Sequence, residues 1–236
     1  PVDLGLMEEL YAAGEGHIIS MTVAPELKGM HELALSCISK GITLQAGHTN
    51  ATYENIVEGM QAGILHSTHM FNAMSSMHHR DPNAVGAILI FPEMACEIIA
   101  DGHHVHPDLI KLLVRDKPVS KIVLVTDALK TTEQESGPLI ANGDEVYLRD
   151  GVFYRTRDDV MAGSSLTMMK GVANLFSYGI PIEHAVEMAS SNPARILGIQ
   201  KRGALVPGYD ADVTVFSKDF DVLASIIRGE FKKNLL

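Results

Sequence analysis

The chain has few cysteines, few basic residues and no long apolar run, and each shortage argues against a class of protein. Cys37 and Cys96 are the only cysteines, and without CxxC spacing they predict buried free thiols rather than a disulfide framework or a thiolate metal site. Lysine and arginine total 19 against 29 acidic residues, and the net charge of −10 disfavours a surface for nucleic acid or anionic lipid. No segment approaches the roughly 20 apolar residues of a membrane span, and no export signal is recognisable. We therefore expect a cytoplasmic protein with neither nucleic-acid nor membrane partners.

What the sequence does contain is a repeated strand–helix pattern. At 236 residues and 46% hydrophobic content, the chain can bury a substantial core. Apolar, β-branched segments alternate with segments of helical periodicity, which predicts an α/β fold with a parallel sheet whose carboxyl ends share one edge. The five predicted strands are residues 17–23, 42–46, 64–68, 96–100 and 121–126. After them, residues 131–159 predict a hairpin insertion, and helices are predicted at 165–178 and 182–197.

The strand count leaves two interpretations of the architecture open. A parallel barrel needs eight strands, so the five strands form either an open sheet or the C-terminal five strand–helix units of a (β/α)8 TIM-type barrel. The absence of an initiator Met favours the barrel, and we expect an N-terminal extension of more than about 100 residues. Residues 1–200 are predicted to form the barrel domain, and residues 201–236 to form strands of a small β-sandwich.

Two histidines follow consecutive predicted strands. His48 comes after the strand at 42–46 and His69 after the strand at 64–68. If these strands are parallel neighbours, both imidazoles lie at the carboxyl edge of the sheet, where α/β proteins build their active sites. Two neutral nitrogen ligands then supply half of a metal site, and a third ligand must come from elsewhere. The alternative for His48 is a structural bond to a neighbouring backbone carbonyl, which the second histidine at a matching position disfavours.

Further polar residues follow the same predicted strands, and each has a structural alternative. Asp127 ends the fifth strand, where a carboxylate is costly to bury unless it is paired or catalytic; the alternative is a helix cap or loop anchor. His104 follows the fourth strand and is read as a substrate contact, with Asp101 as a structural neighbour. Arg80 could pair with a phosphate through its planar guanidinium group, or remain a solvated loop charge.

Small and amide residues complete the candidates. Asn72 and the backbone of Ala73 could donate to sugar or phosphate oxygens, with an Asx turn as the alternative. The small residues of 161–169 are predicted to open a helix that Ser164 or Ser165 caps, or to bring backbone N–H groups close to a ligand.

Eight segments, in order along the chain, resemble those of one family, the N-acetylglucosamine-6-phosphate deacetylases of the amidohydrolase superfamily. The segments are TVAPE at 22–26, AGHTNA at 46–51, THMFNAM at 68–74, HRDP at 79–82, IADGHHV at 99–105, LVTDA at 124–128, AGSSLTM at 162–168 and NPA at 192–194. The resemblance implies a (β/α)8 barrel with a small β-sandwich, and a cytoplasmic homodimer. It also implies hydrolysis of the N-acetyl group of N-acetylglucosamine 6-phosphate, which gives glucosamine 6-phosphate and acetate.

The resemblance further implies roles for individual residues. His48 and His69 resemble ligands of a divalent metal ion, with Zn2+ the first choice and Fe2+, Co2+ or Mn2+ as alternatives, and Asp127 resembles the catalytic acid/base. The residues that resemble substrate contacts are Asn72, Ala73, Arg80, Asp101, Gly102, His103, His104, Met161, Ala162 and Gly163. The family's metal-binding glutamate has no counterpart in these 236 residues, which alone are expected to be inactive. Two alternatives stay open: another amidohydrolase that acts on a different acylated amine or cyclic amide, and an inactive module that binds sugar phosphate.

Overall fold

A parallel sheet of five strands is the central element of the fold. A computed structural model describes residues 2–134 and 138–236 of the chain. The sheet has the order β1-β2-β3-β4-β5, and its pairing is parallel from β1 to β4. The strands are β1 (Ser20–Val23), β2 (Thr43–Ala46), β3 (His66–Ser67), β4 (Ala95–Ile99) and β5 (Ile122–Val125). The predicted parallel α/β sheet is confirmed, whereas its place in a (β/α)8 barrel stays a prediction.

Eight α-helices lie along the described part of the chain. They are α1 (Leu4–Ala13), α2 (Met30–Ser39), α3 (Tyr53–Gln61), α4 (Asn83–Ile90), α5 (Pro107–Asp116), α6 (Met168–Ser177), α7 (Ile182–Ala189) and α8 (Ser191–Ile196). Helices α1 and α4 are not predicted from the sequence. Helix α4 escapes a periodicity search because its residues from Ala84 to Ile88 are all buried, so it has no polar face. The helix predicted at 182–197 is broken at Ser190, whose φ of −135° and ψ of −80° are not helical.

Thr167, and not Ser164 or Ser165 as predicted, caps the N-terminus of helix α6. The N-cap of this helix is Thr167, whose side chain accepts a hydrogen bond from the backbone N–H of Lys170. Ser164 and Ser165 therefore do not cap this helix, and the prediction that they do is wrong. Their hydroxyls instead donate to the backbone carbonyls of Thr126 and Gly151.

The chain forms two compact units. The first consists of Pro1–Ile98, Leu113–Val123 and Asn192–Gln200, and the second of Ile99–Leu112, Leu124–Ser191 and Lys201–Leu236. In the first unit, fully buried side chains of β2, α3 and α4, including Leu44, Ile56 and Ile88, form the core. The predicted division into residues 1–200 and 201–236 stays a prediction.

Two antiparallel sheets belong to the second unit. One has the order β6-β7-β8-β9, formed by β6 (Ile140–Ala141), β7 (Asp144–Arg149), β8 (Val152–Arg155) and β9 (Met161–Ser164). The other has the order β10-β11-β12, formed by β10 (Val213–Phe216), β11 (Val222–Ile227) and β12 (Glu230–Asn234). Phe153 packs with Ala141 and Val146 in a small core of the first of these sheets. The predicted hairpin is confirmed as β7 and β8, and its residues 135–137 lie outside the described residues.

A buried lysine completes the first unit. The Nζ atom of Lys117 donates to the carbonyl oxygens of Ile88 at 2.7 Å and Phe91 at 2.9 Å, and so satisfies acceptors at the carboxyl end of α4. Burial lowers the pKa of the Lys117 ammonium group.

Both cysteines are buried free thiols, as predicted, and burial raises the pKa of Cys96 to about 12. Within residues 2–134 and 138–236, no helix is long and apolar enough to cross a membrane.

Candidate active site

The loops that follow β2 and β3 bring His48 and His69 together. Their Nε2 atoms are 2.9 Å apart, and their rings meet edge to face with centroids separated by 4.8 Å. His48 is exposed and His69 is half-buried, so a small molecule can reach the pair from the solvent side of His48. The predicted proximity of the two imidazoles is confirmed, while their role as metal ligands stays a prediction.

His48, His69 and Asp127 each have a left-handed backbone conformation just after the end of a strand. The φ angles are 48° at His48, 21° at His69 and 51° at Asp127, which are values that residues with a Cβ atom rarely adopt. Such conformations cost of order 1–3 kcal/mol each, persist only where surrounding contacts impose them, and concentrate at functional sites. The three candidates for metal binding and acid/base chemistry share this backbone feature with eleven other non-glycine residues of the described chain, so it shapes their loops but does not by itself single them out.

Hydrogen bonds from both sides fix the loop that carries His48. The Glu26 carboxylate, which follows β1, accepts hydrogen bonds from the Thr49 hydroxyl and, at 2.9 Å, from the backbone N–H of Asn50. On the other side, the backbone N–H of Thr49 donates to the carbonyl oxygen of Ala73 at 3.0 Å. The loop after β2 is therefore tied both to the loop after β1 and to the loop after β3.

A buried carboxylate on β4 holds the segment that carries His69. Glu97 accepts hydrogen bonds from the side chains of Gln45, His66 and Thr68, and from the backbone N–H of His69. Burial by itself raises the pKa of the Glu97 carboxyl group, but the hydrogen bonds from His66, Thr68 and His69 outweigh it and leave the pKa below its ordinary value. Glu97 is therefore an ionised group within the sheet.

The spacing of the two imidazoles fits a shared metal ion. Imidazole nitrogens bind Zn2+ at about 2.0–2.1 Å, so two nitrogens on one ion are about 3.3–3.4 Å apart at a tetrahedral angle and about 2.9 Å apart at a right angle. The observed 2.9 Å between the Nε2 atoms of His48 and His69 matches the right-angle value, and it also suits an N–H···N hydrogen bond between the rings. In the part of the chain that the structure describes, no group of three or more histidine, cysteine or acidic side chains is arranged to hold a metal ion. The pair thus fits two positions of a coordination shell.

In the second unit, strand β9 lies against the segment that carries Asp127. The backbone N–H of Ser164 donates to the carbonyl oxygen of Asp127 at 2.9 Å, and the Ser164 hydroxyl donates to the carbonyl oxygen of Thr126. A Cβ atom on Gly163 would lie 2.9 Å from the Asp127 carbonyl oxygen and 2.7 Å from Leu129, so only glycine fits there, and its φ of 140° also favours glycine. The structure therefore places Gly163 beside Asp127, whose side chain is exposed.

The other two residues of that stretch differ in their surroundings. Met161 is exposed, whereas Ala162 packs on the small core of Ala141, Val146 and Phe153. Residues 161–164 form strand β9 rather than the start of a helix, because their backbone pairs with β8. The helix predicted at 165–178 begins at Met168 and ends at Ser177.

A carboxylate orients one of the predicted substrate contacts in the second unit. Asp101 accepts hydrogen bonds at 2.9 Å from the backbone N–H groups of His103 and His104, and its other oxygen lies 2.6 Å from Nδ1 of His104. Burial acts to raise the pKa of the Asp101 carboxyl group, but the bonds from His104 and His103 bring it below its ordinary value. Gly102, at φ 83°, makes the turn between them. Asp101 therefore holds the loop that carries His104 and accepts a hydrogen bond from Nδ1 of its ring, while its role as a substrate contact stays a prediction.

The remaining candidates lie on the loop between β3 and α4. The side-chain amide of Asn72 donates to the carbonyl oxygens of His69 and Met70, at 3.2 Å each, so it stabilises the turn that follows β3. Arg80 is exposed at the tip of a tight turn in which His78 and Asp81 exchange two backbone hydrogen bonds of 3.0 Å. The guanidinium Nη1 of Arg80 is 2.9 Å from Nε2 of His79.

Two carboxylates of this region are not singled out by sequence reasoning. Glu97 and Glu26 hold the loops of His69 and His48, but Glu97 lies within β4 and Glu26 lies three residues after β1, so neither directly follows a strand. For Glu97 a signal exists: it is the one charged residue of the apolar strand Ala95–Ile99. A charge in such a strand is stable only with partners, so its position predicts a buried polar network.

The profile of the amidohydrolase family matches residues 12–232 of the chain. The chain belongs to the amidohydrolase family. Among its relatives, the N-acetylglucosamine-6-phosphate deacetylase of Vibrio furnissii is 35% identical over 225 residues, which cover 94% of this chain and 56% of the relative. The N-acetylgalactosamine-6-phosphate deacetylase of Escherichia coli O157:H7 is 32% identical and matches 97% of this chain and 61% of its own length.

Solved structures of amidohydrolases resemble this chain closely. A point mutant of N-acetyl-D-glucosamine-6-phosphate deacetylase from Mycobacterium smegmatis, in complex with N-acetyl-D-glucosamine-6-phosphate, superposes with a TM-score of 0.94 at 30% identity. The similarity covers 99% of this chain and 62% of that one. This amidohydrolase chain therefore spans about three fifths of the length of the relatives it matches.

Proposed function

We propose that the whole protein is a metal-dependent deacetylase that hydrolyses the N-acetyl group of N-acetylglucosamine 6-phosphate to give glucosamine 6-phosphate and acetate. The observation that carries this proposal is the 2.9 Å separation of the His48 and His69 Nε2 atoms, at the ends of two parallel strands of an amidohydrolase chain. The relatives named as deacetylases of amino-sugar phosphates, at 32–35% identity, support the choice of substrate.

Each chemical role in this proposal falls to a residue of this chain. His48 and His69 would hold a divalent metal ion, with Zn2+ the first choice, and that ion would supply Lewis-acid chemistry toward a water and the amide carbonyl. Asp127 takes the proton of the water as it attacks the acetamide carbon. The same carboxyl group then returns the proton to the departing amine, which leaves as the free amino sugar.

The substrate is bound by residues that follow the same strands. His104, with Nδ1–H held by Asp101, offers Nε2 to a sugar hydroxyl. Arg80 pairs with the phosphate, because its planar guanidinium group matches phosphate oxygens in two hydrogen bonds. The further contacts that we propose are Asn72, Ala73, Gly102, His103, Met161, Ala162 and Gly163.

The architecture and assembly of the whole protein are part of the same proposal. The chain supplies the C-terminal five strand–helix units of a (β/α)8 barrel and strands of a small β-sandwich, and the protein is a cytoplasmic homodimer. The TM-score of 0.94 against a deacetylase of which this chain covers 62% supports the barrel.

A second candidate substrate is N-acetylgalactosamine 6-phosphate. The 32% identity to the Escherichia coli enzyme, which nearly equals the identity to the Vibrio enzyme, favours it. The two sugars differ only in configuration at C4, so comparison of kcat/KM for the two phosphates decides between them. Equal kcat/KM values for the two sugar phosphates would indicate that no residue of the protein distinguishes the two configurations of the C4 hydroxyl.

Acetate release from the purified protein tests the proposed chemistry. We expect release from the phosphorylated sugar that a chelator abolishes and Zn2+ restores, and we expect Asp127→Asn to bind substrate but to lose turnover. Thermal stabilisation by the sugar phosphate that chelator leaves unchanged, without acetate release, would instead indicate an inactive binding module.

The phosphate role of Arg80 has its own test with a control variant. Loss of charge-assisted hydrogen bonds worth about 1.5–3 kcal/mol lowers kcat/KM for the phosphorylated sugar roughly 10- to 150-fold in Arg80→Ala. Activity on unphosphorylated N-acetylglucosamine should not change. Lys111→Ala, which removes an exposed cation on α5 that is paired with Asp108, is the control and should leave both activities close to wild type. Equal loss on both substrates in Arg80→Ala would contradict a phosphate contact.

A further inference from the structure

The backbone that follows β3 is bonded to Glu97 at two successive residues. The N–H of His69 donates to the Glu97 carboxylate at 3.3 Å, and the N–H of Met70 donates to the Glu97 backbone carbonyl at 2.7 Å. Strand β3 itself is only two residues long, and its ladder with β4 pairs His66 with Ala95 and Ser67 with Cys96. Hydrogen bonds to Glu97 therefore hold residues 69 and 70 against β4 beyond the end of β3 at Ser67.

Four donors fix the orientation of the Glu97 carboxylate. One oxygen, Oε1, receives hydrogen bonds from Nε2 of Gln45 and Nε2 of His66, both at 3.2 Å. The other, Oε2, receives the Thr68 hydroxyl at 2.8 Å and the His69 N–H. The side chain is only 14% exposed, and that of His66 is 3% exposed. A carboxylate held at both oxygens in a buried site has little freedom to move, so it is a rigid reference point for His69.

The backbone of His69, which donates to Glu97, has an unfavourable conformation that surrounding contacts must hold. His69 has a φ of 21°, which the backbone does not adopt without contacts that impose it. Its ring must nevertheless keep Nε2 within 2.9 Å of His48. The bond from the His69 N–H to Oε2 acts on the backbone on which this ring orientation depends.

We propose that Glu97 is a positioning residue for metal binding, which acts through the backbone of His69 and so sets the separation of the His48 and His69 imidazoles. The inference rests on the proposed function, because it takes these two histidines to be the metal ligands. Residues that orient metal ligands from outside the coordination shell commonly change metal affinity 10- to 100-fold when replaced.

The variant Glu97→Gln tests this role. A glutamine offers an acceptor oxygen at one end and an NH2 group at the other, so two of the four donors lose their partner. We expect Zn2+ affinity, measured by competition with a chelator at fixed pH, to fall roughly 10- to 100-fold. We also expect the visible spectrum of the Co2+ form to change, because it reports ligand geometry, whereas loss of one nearby charge alone would weaken binding without changing the spectrum.

Two further variants separate positioning from general stability. Gln45→Met removes a donor from Oε1, the oxygen that does not contact His69, and should lower stability while Zn2+ affinity and the Co2+ spectrum stay unchanged. Thr68→Val removes the hydroxyl from Oε2 and should weaken Zn2+ binding, though less than Glu97→Gln does. Thr68→Val also decides the question if circular dichroism shows that Glu97→Gln does not fold.

The outcomes distinguish failure of this inference from failure of the proposed function. A folded Glu97→Gln with wild-type Zn2+ affinity and an unchanged Co2+ spectrum would overturn the positioning role alone. Should Glu97→Gln not fold, wild-type Zn2+ affinity in Thr68→Val would overturn it. A wild-type protein that does not bind Zn2+ or Co2+ would contradict the proposed function and overturn the role of Glu97 with it.

Discussion

Replacement of Gly47 by alanine tests how tightly β2 and β3 are packed beneath the histidine pair. Gly47 links β2 to His48, and a Cβ atom there would lie 2.1 Å from Cγ2 of Thr68 and 3.1 Å from Cγ2 of Thr22. The first distance is far inside van der Waals contact, so Thr68 must rotate or move. Its hydroxyl then loses the 2.8 Å bond to the Glu97 carboxylate.

The expected loss of stability follows from these two effects. Overpacking costs about 1–3 kcal/mol, and a lost hydrogen bond to a charged group about 1.5–3 kcal/mol. Against this, alanine reduces the entropy of the unfolded chain and returns about 0.4–1 kcal/mol. We therefore expect Gly47→Ala to lower the free energy of unfolding by roughly 2–5 kcal/mol, measured by urea denaturation.

A second substitution makes this reasoning refutable. Thr68→Ser removes the methyl group in the clash but keeps the hydroxyl that bonds to Glu97, and alone it should cost about 1 kcal/mol for one buried methyl group. In the double variant the clash at 2.1 Å disappears, so the two changes should couple favourably by about 1–3 kcal/mol. Wild-type stability of Gly47→Ala, or strictly additive effects in the double variant, would refute the packing argument.

Three further predictions concern other parts of the structure. Lys117→Met removes the ammonium donor from the Ile88 carbonyl oxygen, whereas the Phe91 carbonyl keeps the N–H of Met94, and it should lower the free energy of unfolding in urea by about 1–3 kcal/mol; an unchanged value would contradict a stabilising role of the ammonium group. Because the folded pKa of Asp101 is lowered, its stabilisation is present above the ordinary carboxyl pKa of about 3.9 and is lost as pH falls through the folded value. The stability difference between wild type and Asp101→Asn should therefore shrink below about pH 4, and a pH-independent difference would contradict this. Gly163→Ala forces a Cβ atom against the Asp127 carbonyl oxygen and should lower kcat for acetate release while Zn2+ affinity is unchanged; wild-type kcat would contradict the contact.

Much of the fold is predictable because its signals are local. The longer sequence segments around β1 to β5 are rich in apolar and β-branched residues, although β3 itself is only His66–Ser67, and their alternation with helices indicates a parallel sheet. Helix α4 is not predictable in this way, since its residues from Ala84 to Ile88 are all buried and leave no polar face to reveal its period. Strand β9 is also missed, because its small residues resemble a helix start and only pairing with β8 makes them a strand.

The candidate site likewise has residues that the sequence reveals and residues that only the structure reveals. His48, His69 and Asp127 can be selected from the sequence because each directly follows an apolar strand. The groups that hold them cannot: Glu97 reaches its partners across two neighbouring strands, and Glu26 reaches the loop after β2. Such contacts join residues that are distant in sequence, so they become visible only when strand order and register are known.

The left-handed backbone at His48 also determines which residue at this position would make the protein most stable. Glycine adopts such φ values without steric conflict, whereas a residue with a Cβ atom pays about 1–2 kcal/mol. His48→Gly should therefore be more stable than His48→Ala by roughly 1 kcal/mol in thermal denaturation, the reverse of the usual order for these two residues. Under the proposed role of His48 as a metal ligand, the protein gives up about 1 kcal/mol of stability for that ligand, and a screen for thermostable variants would favour glycine at this position.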